Sequence, residues 1–214
     1  MKIKKKIKAT QHKIIPYGSF VWKLIYSIFS LFNLIFPRRK KNTSNLDLIV
    51  ISPGGVATTS FLHYFETLLK TNSKTNADGI KHSFSIPIIE DKTKILFMYS
   101  KSTRRVIKYL KFKNYYLLHS YYMSSPLSIL FDNQKIGEYF FKKRMRQQIK
   151  NFVDSENKNV LCLAYPDFFY KKNKIKKFLN LTDKQLVNFP KYSKRKGRIN
   201  ENKYKYNKQT LSHF

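Results

Sequence analysis

The chain of 214 residues has a single cysteine, Cys162, within an apolar run. One thiol excludes an intrachain disulfide and a cysteine-based metal site, and it is typical of a reducing compartment. The sequence has no internal repeat of the kind that builds solenoid proteins. No Gly-Lys-Ser or Gly-Lys-Thr follows the pair Gly54-Gly55. That absence argues strongly against a kinase-like phosphate-binding loop.

Acidic residues are also few, with 12 Asp and Glu against 43 Lys and Arg, for a formal net charge of +31. A field of this size attracts anions such as nucleotides, charged glycans, nucleic acid or anionic lipid. The chain is also rich in Lys, Asn, Ile, Phe and Tyr together, which is typical of a compositionally biased genome. We assign more than half of the lysine excess to that bias. The charge therefore favours an anionic partner without choosing one, and nucleic acid has no support beyond charge.

The longest apolar run covers residues 18–36, with lysines before it and the cluster Arg38-Arg39-Lys40-Lys41 after Pro37. No small-residue cleavage site follows the run, so we do not expect a cleaved signal peptide. Its polar residues recur at steps of three and four: Lys23, Tyr26, Ser27, Ser30 and Asn33. This pattern predicts an amphipathic helix at an anionic membrane surface, on the cytoplasmic side. A single-span anchor is the nearest alternative, and a core-packing helix comes third.

Three short apolar runs, at residues 46–52, 94–100 and 159–165, predict buried strands. Helical patterns alternate with them, which predicts a mostly parallel sheet covered on both faces. We therefore expect an α/β domain over residues 42–190. A basic membrane-associating segment, residues 1–41, precedes it, and a basic tail, residues 191–214, follows.

The first predicted strand leads into Pro53-Gly54-Gly55-Val56-Ala57-Thr58-Thr59-Ser60 and then into a helical apolar pattern. The first amides of a helix lack intrahelical partners, and the helix dipole makes that end positive. A glycine turn lets a phosphate approach the backbone closely, and threonine hydroxyls add donors. A plain strand-to-helix turn, with glycine for conformation and threonine for capping, is the alternative interpretation.

This segment resembles the sulfotransferase superfamily. The stretch Gly54-Gly55-Val56-Ala57-Thr58-Thr59, after Ile-Val-Ile-Ser-Pro, is similar to the family loop that binds the 5′-phosphosulfate of 3′-phosphoadenosine-5′-phosphosulfate. The lysine of the family loop is missing here. Residues 78–87 are similar to a second family segment, Ile-Lys-x-His-x-x-Pro, with Lys81 and His82 one residue closer together. The resemblance implies that His82 is the general base, and Lys81 takes the place of the missing loop lysine.

Weaker similarities extend the resemblance to about residue 198. Ser100 and Lys108 stand at the positions of the family's arginine and serine that bind the 3′-phosphate. The segment Arg195-Lys196-Gly197 resembles the Arg-Lys-Gly segment that closes over the same phosphate. Residues 165–168 and 178–181 resemble a family stretch of structural importance.

The resemblance implies a P-loop-like, three-layer α/β/α fold, preceded here by the amphipathic helix. It also implies an enzyme that transfers a sulfuryl group from 3′-phosphoadenosine-5′-phosphosulfate to a hydroxyl of a glycan or other acceptor, without a metal. The alternative is a non-catalytic relative that binds a nucleotide or an anionic glycan at a membrane surface. His63 and His119 lie in apolar surroundings and are predicted to be packed rather than catalytic.

Overall fold

The computed structural model describes residues 15–36 and 43–192. The strands are β1 Leu48–Ile51, β2 Lys94–Ser100 and β3 Val160–Tyr165. The helices are α1 Phe20–Ile35, α2 Thr58–Phe65, α3 Thr103–Phe112, α4 Tyr116–Tyr122, α5 Pro126–Leu130, α6 Lys135–Val153 and α7 Lys172–Leu179. Two short 3-10 helices cover Asp167–Phe169 and Lys184–Leu186. Arg195, Lys196, Gly197 and the basic cluster at residues 38–41 lie outside the described residues.

The described strands form one parallel sheet in the order β1-β2-β3. Val50 is in register with Leu96 on β2, and Met98 is in register with Leu163 on β3. The prediction of a mixed α/β domain with a parallel sheet is confirmed at this level. Helix α2 connects β1 to β2, and α3 to α6 connect β2 to β3.

Both faces of the sheet are buried, because successive side chains of a strand point to opposite sides. Leu48 and Val50 join one core cluster, which also holds the apolar residues of α2, α3 and α4. Ile49 and Ile51 join the other cluster, with Phe152 of α6. Such two-sided burial explains why the strand sequences are continuously apolar rather than alternating.

Helix α6 holds the chain segment that follows His82. The buried Gln148 donates a hydrogen bond from Nε2 to the carbonyl of Ser83, at 2.7 Å. Asn151 donates from Nδ2 to the carbonyl of Phe84, at 3.2 Å. These bonds satisfy backbone carbonyls that no strand or helix pairs, so they fix the local path of the chain.

Helix α1 packs on α4 and α5 through its polar side. Lys23 forms an ion pair with Asp132 at 2.5 Å, and Ser27 donates a hydrogen bond to the carbonyl of Pro126 at 3.0 Å. The side chain of Trp22, also on α1, is buried against the protein. In the described residues, no helix has the length and apolar character needed to cross a membrane.

Candidate functional site

The loop between β1 and α2 turns sharply at the carboxyl end of β1. Gly54 and Gly55 have φ angles of 101° and 68°, and Ala57, which precedes the first residue of α2, has a φ of 59°. Turn residues with positive φ can aim successive amide hydrogens at one concave side, as in the nests that bind anions. Glycine adopts positive φ without strain, whereas Ala57 is held there at some cost.

The amides of residues 55–59 face no protein acceptor in the described part of the chain, whereas Gly54 donates to Ser52 Oγ at 3.2 Å. The helical hydrogen bonds begin at the carbonyl of Ala57, which accepts from the amides of Ser60 and Phe61. These amides sit at the positive end of the α2 dipole. We call the amides of residues 55–59, together with Lys81 Nζ, the anion cradle.

Hydrogen bonds hold the loop from inside. Ser52 Oγ and Thr58 Oγ1 are 2.6 Å apart, and both side chains are buried. Thr59 Oγ1 accepts a hydrogen bond from Lys81 Nζ at 2.8 Å. Both threonine hydroxyls, which the resemblance assigns to the ligand, therefore already have protein partners.

Lys81 is a buried cation without an ionic partner in the described residues. Only 7% of Lys81 is exposed to solvent. Its Nζ donates hydrogen bonds to Thr59 Oγ1 and to the carbonyl of Lys74, each at 2.8 Å. None of the ion pairs that the structure describes includes Lys81. Burial lowers the pKa of the ammonium, and the charge of Asp78 opposes this shift in part. A bound anion would compensate the buried charge.

His82 follows directly and is also buried. Its Nδ1 lies 2.8 Å from the carbonyl oxygen of Ser52, which can only accept a hydrogen bond. When the ring is neutral, its proton is therefore on Nδ1, and Nε2 is the basic nitrogen. The ring stacks on Tyr122 with centroids 5.3 Å apart.

A second imidazole, His119 of α4, lies edge-on to His82 with ring centroids 4.6 Å apart. A Cβ atom placed on Gly54 would come within 2.1 Å of His119 Cδ2, so only glycine allows this approach. His119 Nδ1 bonds to the carbonyl of Tyr115 at 2.9 Å. Burial lowers its pKa to about 4, against the effect of that bond, and the charge of Lys81 lowers it further. His119 is therefore neutral at physiological pH.

The loop of residues 54–59, Lys81, His82 and His119 line one cavity of about 1400 Å³. The described lining includes the predicted residues Gly54, Gly55, Val56, Ala57, Thr58, Thr59, Lys81, His82, Ser100 and Lys108. Arg104, Arg105 and Lys191 add cations, and no Asp or Glu is among the described lining residues. A cavity with cationic groups and no carboxylate attracts an anion.

The predicted 3′-phosphate pair is less well assembled. Ser100 is buried, donates to the carbonyl of Ser102 at 3.3 Å and accepts from the Ser102 amide at 3.2 Å. Lys108 is exposed at the cavity rim on α3, beside Arg104 and Arg105. The guanidinium of Arg105 lies over the ring of Tyr165, 4.9 Å from its centroid.

No family model, characterised protein or solved structure matches the chain. The cavity must therefore be interpreted from its own geometry.

The loop, Lys81 and His82 were predicted to form one site, and the structure brings them together in one cavity lining. His119, which was predicted to be packed rather than catalytic, packs against Gly54 and His82 and also lines the cavity. No local pattern marks His119, because the packing of α4 against the loop brings it there. His63 is exposed and pairs with Glu66 at 2.9 Å, so the prediction that it is packed is wrong. No group of His, Cys, Asp and Glu side chains suited to a metal ion occurs in the described residues.

Proposed function

We propose that the chain is a sulfotransferase-like enzyme that uses 3′-phosphoadenosine-5′-phosphosulfate as its co-substrate. The observation that carries the proposal is the anion cradle: a buried lysine without a carboxylate partner in the described residues, bonded to the first turn of a helix whose amides lack acceptors there. An anionic group bound at this place would accept hydrogen bonds from the amides and would also compensate the positive charge of Lys81.

The chemistry is an in-line transfer to a hydroxyl on a glycan or another acceptor. The acceptor oxygen forms a bond to sulfur while the bond from sulfur to the bridging oxygen breaks. The electron pair stays on that oxygen, which becomes part of the 5′-phosphate of 3′,5′-bisphosphoadenosine. The acceptor proton moves to Nε2 of His82, the nitrogen that its Nδ1 bond to Ser52 leaves basic.

Lys81 stabilises the charge that develops on the bridging oxygen. Fixed cations and amides of this kind lower a transition-state barrier without rearranging during the reaction. The carboxylate-free lining supports this role, since nothing else in the described cavity neutralises the lysine.

The test is calorimetric titration with 3′,5′-bisphosphoadenosine, with ATP as the control ligand, followed by transfer of labelled sulfate to hydroxyl acceptors. We expect the bisphosphate to bind more tightly than ATP. We expect His82→Ala to lose transfer by about 10²–10⁴-fold while it still binds the bisphosphate. An unchanged transfer rate in His82→Ala would remove the proposed base.

One observation favours a second candidate, a non-catalytic protein that binds a nucleotide or an anionic glycan. Ser100 is committed to Ser102, so the position expected to bind the 3′-phosphate offers no directed donor. Binding of the bisphosphate without transfer to any acceptor would favour this candidate. In both cases we propose that the protein lies at the cytoplasmic side of a membrane, where the flanking cations of the apolar run would meet anionic lipid.

A further inference from the structure

Helix α1 turns its apolar face away from the protein. Trp22, Ser27 and Ser30 are buried against the fold, and Lys23 is paired with Asp132. Ten large apolar side chains of residues 20–36 are exposed around the rest of the helix: Phe20, Val21, Leu24, Ile28, Phe29, Leu31, Phe32, Leu34, Ile35 and Phe36. The other exposed large apolar residues of the described chain are scattered over residues 88–187. We call residues 20–36 on this exposed side the outward face of α1.

A continuous apolar surface of this kind marks a binding surface. The charge of the chain distinguishes between two candidate partners of this surface, a second copy of the chain and an anionic bilayer. Six lysines precede the helix within residues 1–17, the cluster Arg38-Arg39-Lys40-Lys41 follows it, and the formal net charge is +31. A second copy of the chain would bring these cations against each other. An anionic bilayer offers both hydrocarbon for the outward face and negative charge for the flanking cations.

We propose that the outward face of α1 is a docking surface for an anionic lipid bilayer, with the helix in the plane of the membrane. The polar side is committed to the protein through Ser27 and Lys23, so the protein itself covers the side that faces away from the lipid. This arrangement does not depend on the proposed enzymatic function, because it uses none of the groups that line the cavity.

The arrangement also places the cavity one helix away from the membrane. Tyr26 of α1 contacts Tyr121 of α4 edge-on, with ring centroids 5.0 Å apart. The neighbouring His119 and Tyr122 of α4 line the cavity. Helix α4 therefore lies between the docking surface and the site, which suits an acceptor located at a membrane surface.

The first experiment is flotation of the full chain with vesicles of phosphatidylcholine alone and of phosphatidylcholine with phosphatidylserine. We expect binding to the anionic vesicles and weak binding to the neutral ones. The double variant Phe29→Ser, Phe32→Ser removes side chains that are 54% and 56% exposed and should lower partitioning by about tenfold per phenylalanine. The matched control is Ile136→Ser, Tyr139→Ser, at positions 54% and 60% exposed on α6, and it should bind as the natural chain does.

A second experiment tests the orientation of the helix. Trp22 is the only tryptophan of the chain, and it is 3% exposed on the protein side of α1. With brominated lipid in the anionic vesicles, its fluorescence should stay unquenched. Leu31→Trp, at a position 47% exposed and half a helical turn around from Trp22, should add a quenched component. Equal vesicle binding by the serine variant and the natural chain would overturn the proposal. So would lipid quenching of Trp22 as strong as that of a tryptophan at position 31, or self-association with no vesicle binding.

Discussion

Replacement of Lys81 by methionine separates ligand binding from folding. The side chain becomes one atom shorter and loses its charge, together with the bonds from Nζ to Thr59 and to the Lys74 carbonyl. A hydrogen bond to a charged group contributes about 1.5–3 kcal/mol, so we expect the Kd for 3′,5′-bisphosphoadenosine to rise about 10- to 150-fold. Isothermal titration calorimetry measures the change.

The same substitution should cost little stability. It removes a buried charge that no carboxylate of the described residues pairs, which favours folding, and it leaves the Lys74 carbonyl without its donor, which opposes folding. We therefore expect the free energy of unfolding to stay within about 1 kcal/mol of the natural chain. Lys150→Met, on the exposed face of α6, is the control, because it removes the same charge from a residue that is not among those that line the cavity.

The pH dependence supplies an independent check. Burial depresses the folded-state pKa of Lys81 below its ordinary value of 10.5, so the unfolded chain holds this proton more tightly. Stability should therefore rise with pH between the lowered pKa and 10.5, while affinity for the anion should fall over the same range. The reasoning fails if Lys81→Met and Lys150→Met bind the bisphosphate equally tightly, whether or not both bind more weakly than the natural chain.

Three further changes test the rest of the site. Gly54→Ala forces a Cβ into the His119 ring at a φ of 101° and should cost about 2–4 kcal/mol of stability in a urea titration; an unchanged midpoint would contradict the packing. Ala57→Gly relieves a left-handed alanine and should raise stability by about 0.5–1 kcal/mol in the same assay, with no change if the loop is relaxed there. His119 has a folded pKa of about 4 against 6.5, so stability should fall as the pH drops from 6.5 through 4. The stability of His119→Gln, measured by thermal unfolding, should fall less steeply as the pH drops below 6.5. The same pH dependence in the variant and the natural chain would exclude His119 as its cause.

The strands and the loop could be predicted because their signals are local. The run at residues 94–100 is apolar over its whole length, as a strand buried on both faces must be, and the structure places β2 over Lys94–Ser100. The glycine turn before the threonines predicts a helix start, and α2 begins at Thr58. Lys81 and His82 were predicted through their resemblance to a short family segment, from which their spacing departs by one residue.

The contacts that complete the site could not be predicted, because they depend on tertiary packing. His119 sits in an aromatic segment whose pattern fits a core helix as well, and its approach to Gly54 exists only after α4 packs on the loop. The polar stripe of α1 identifies an amphipathic helix but does not say which side meets the protein. Ser27 and Lys23 find partners on residues 126 and 132, about a hundred positions away in sequence.

The hydrogen bond from Gln148 to the Ser83 carbonyl makes the position of the proposed base depend on a residue outside the cavity. Gln148 is fully buried on α6, and it is not among the described residues that line the cavity. It nevertheless holds the backbone one residue beyond the imidazole of His82. A genetic screen for loss of activity should therefore recover changes in α6 as well as in the loop, and these changes would slow turnover by misplacing the imidazole rather than by removing a reacting group.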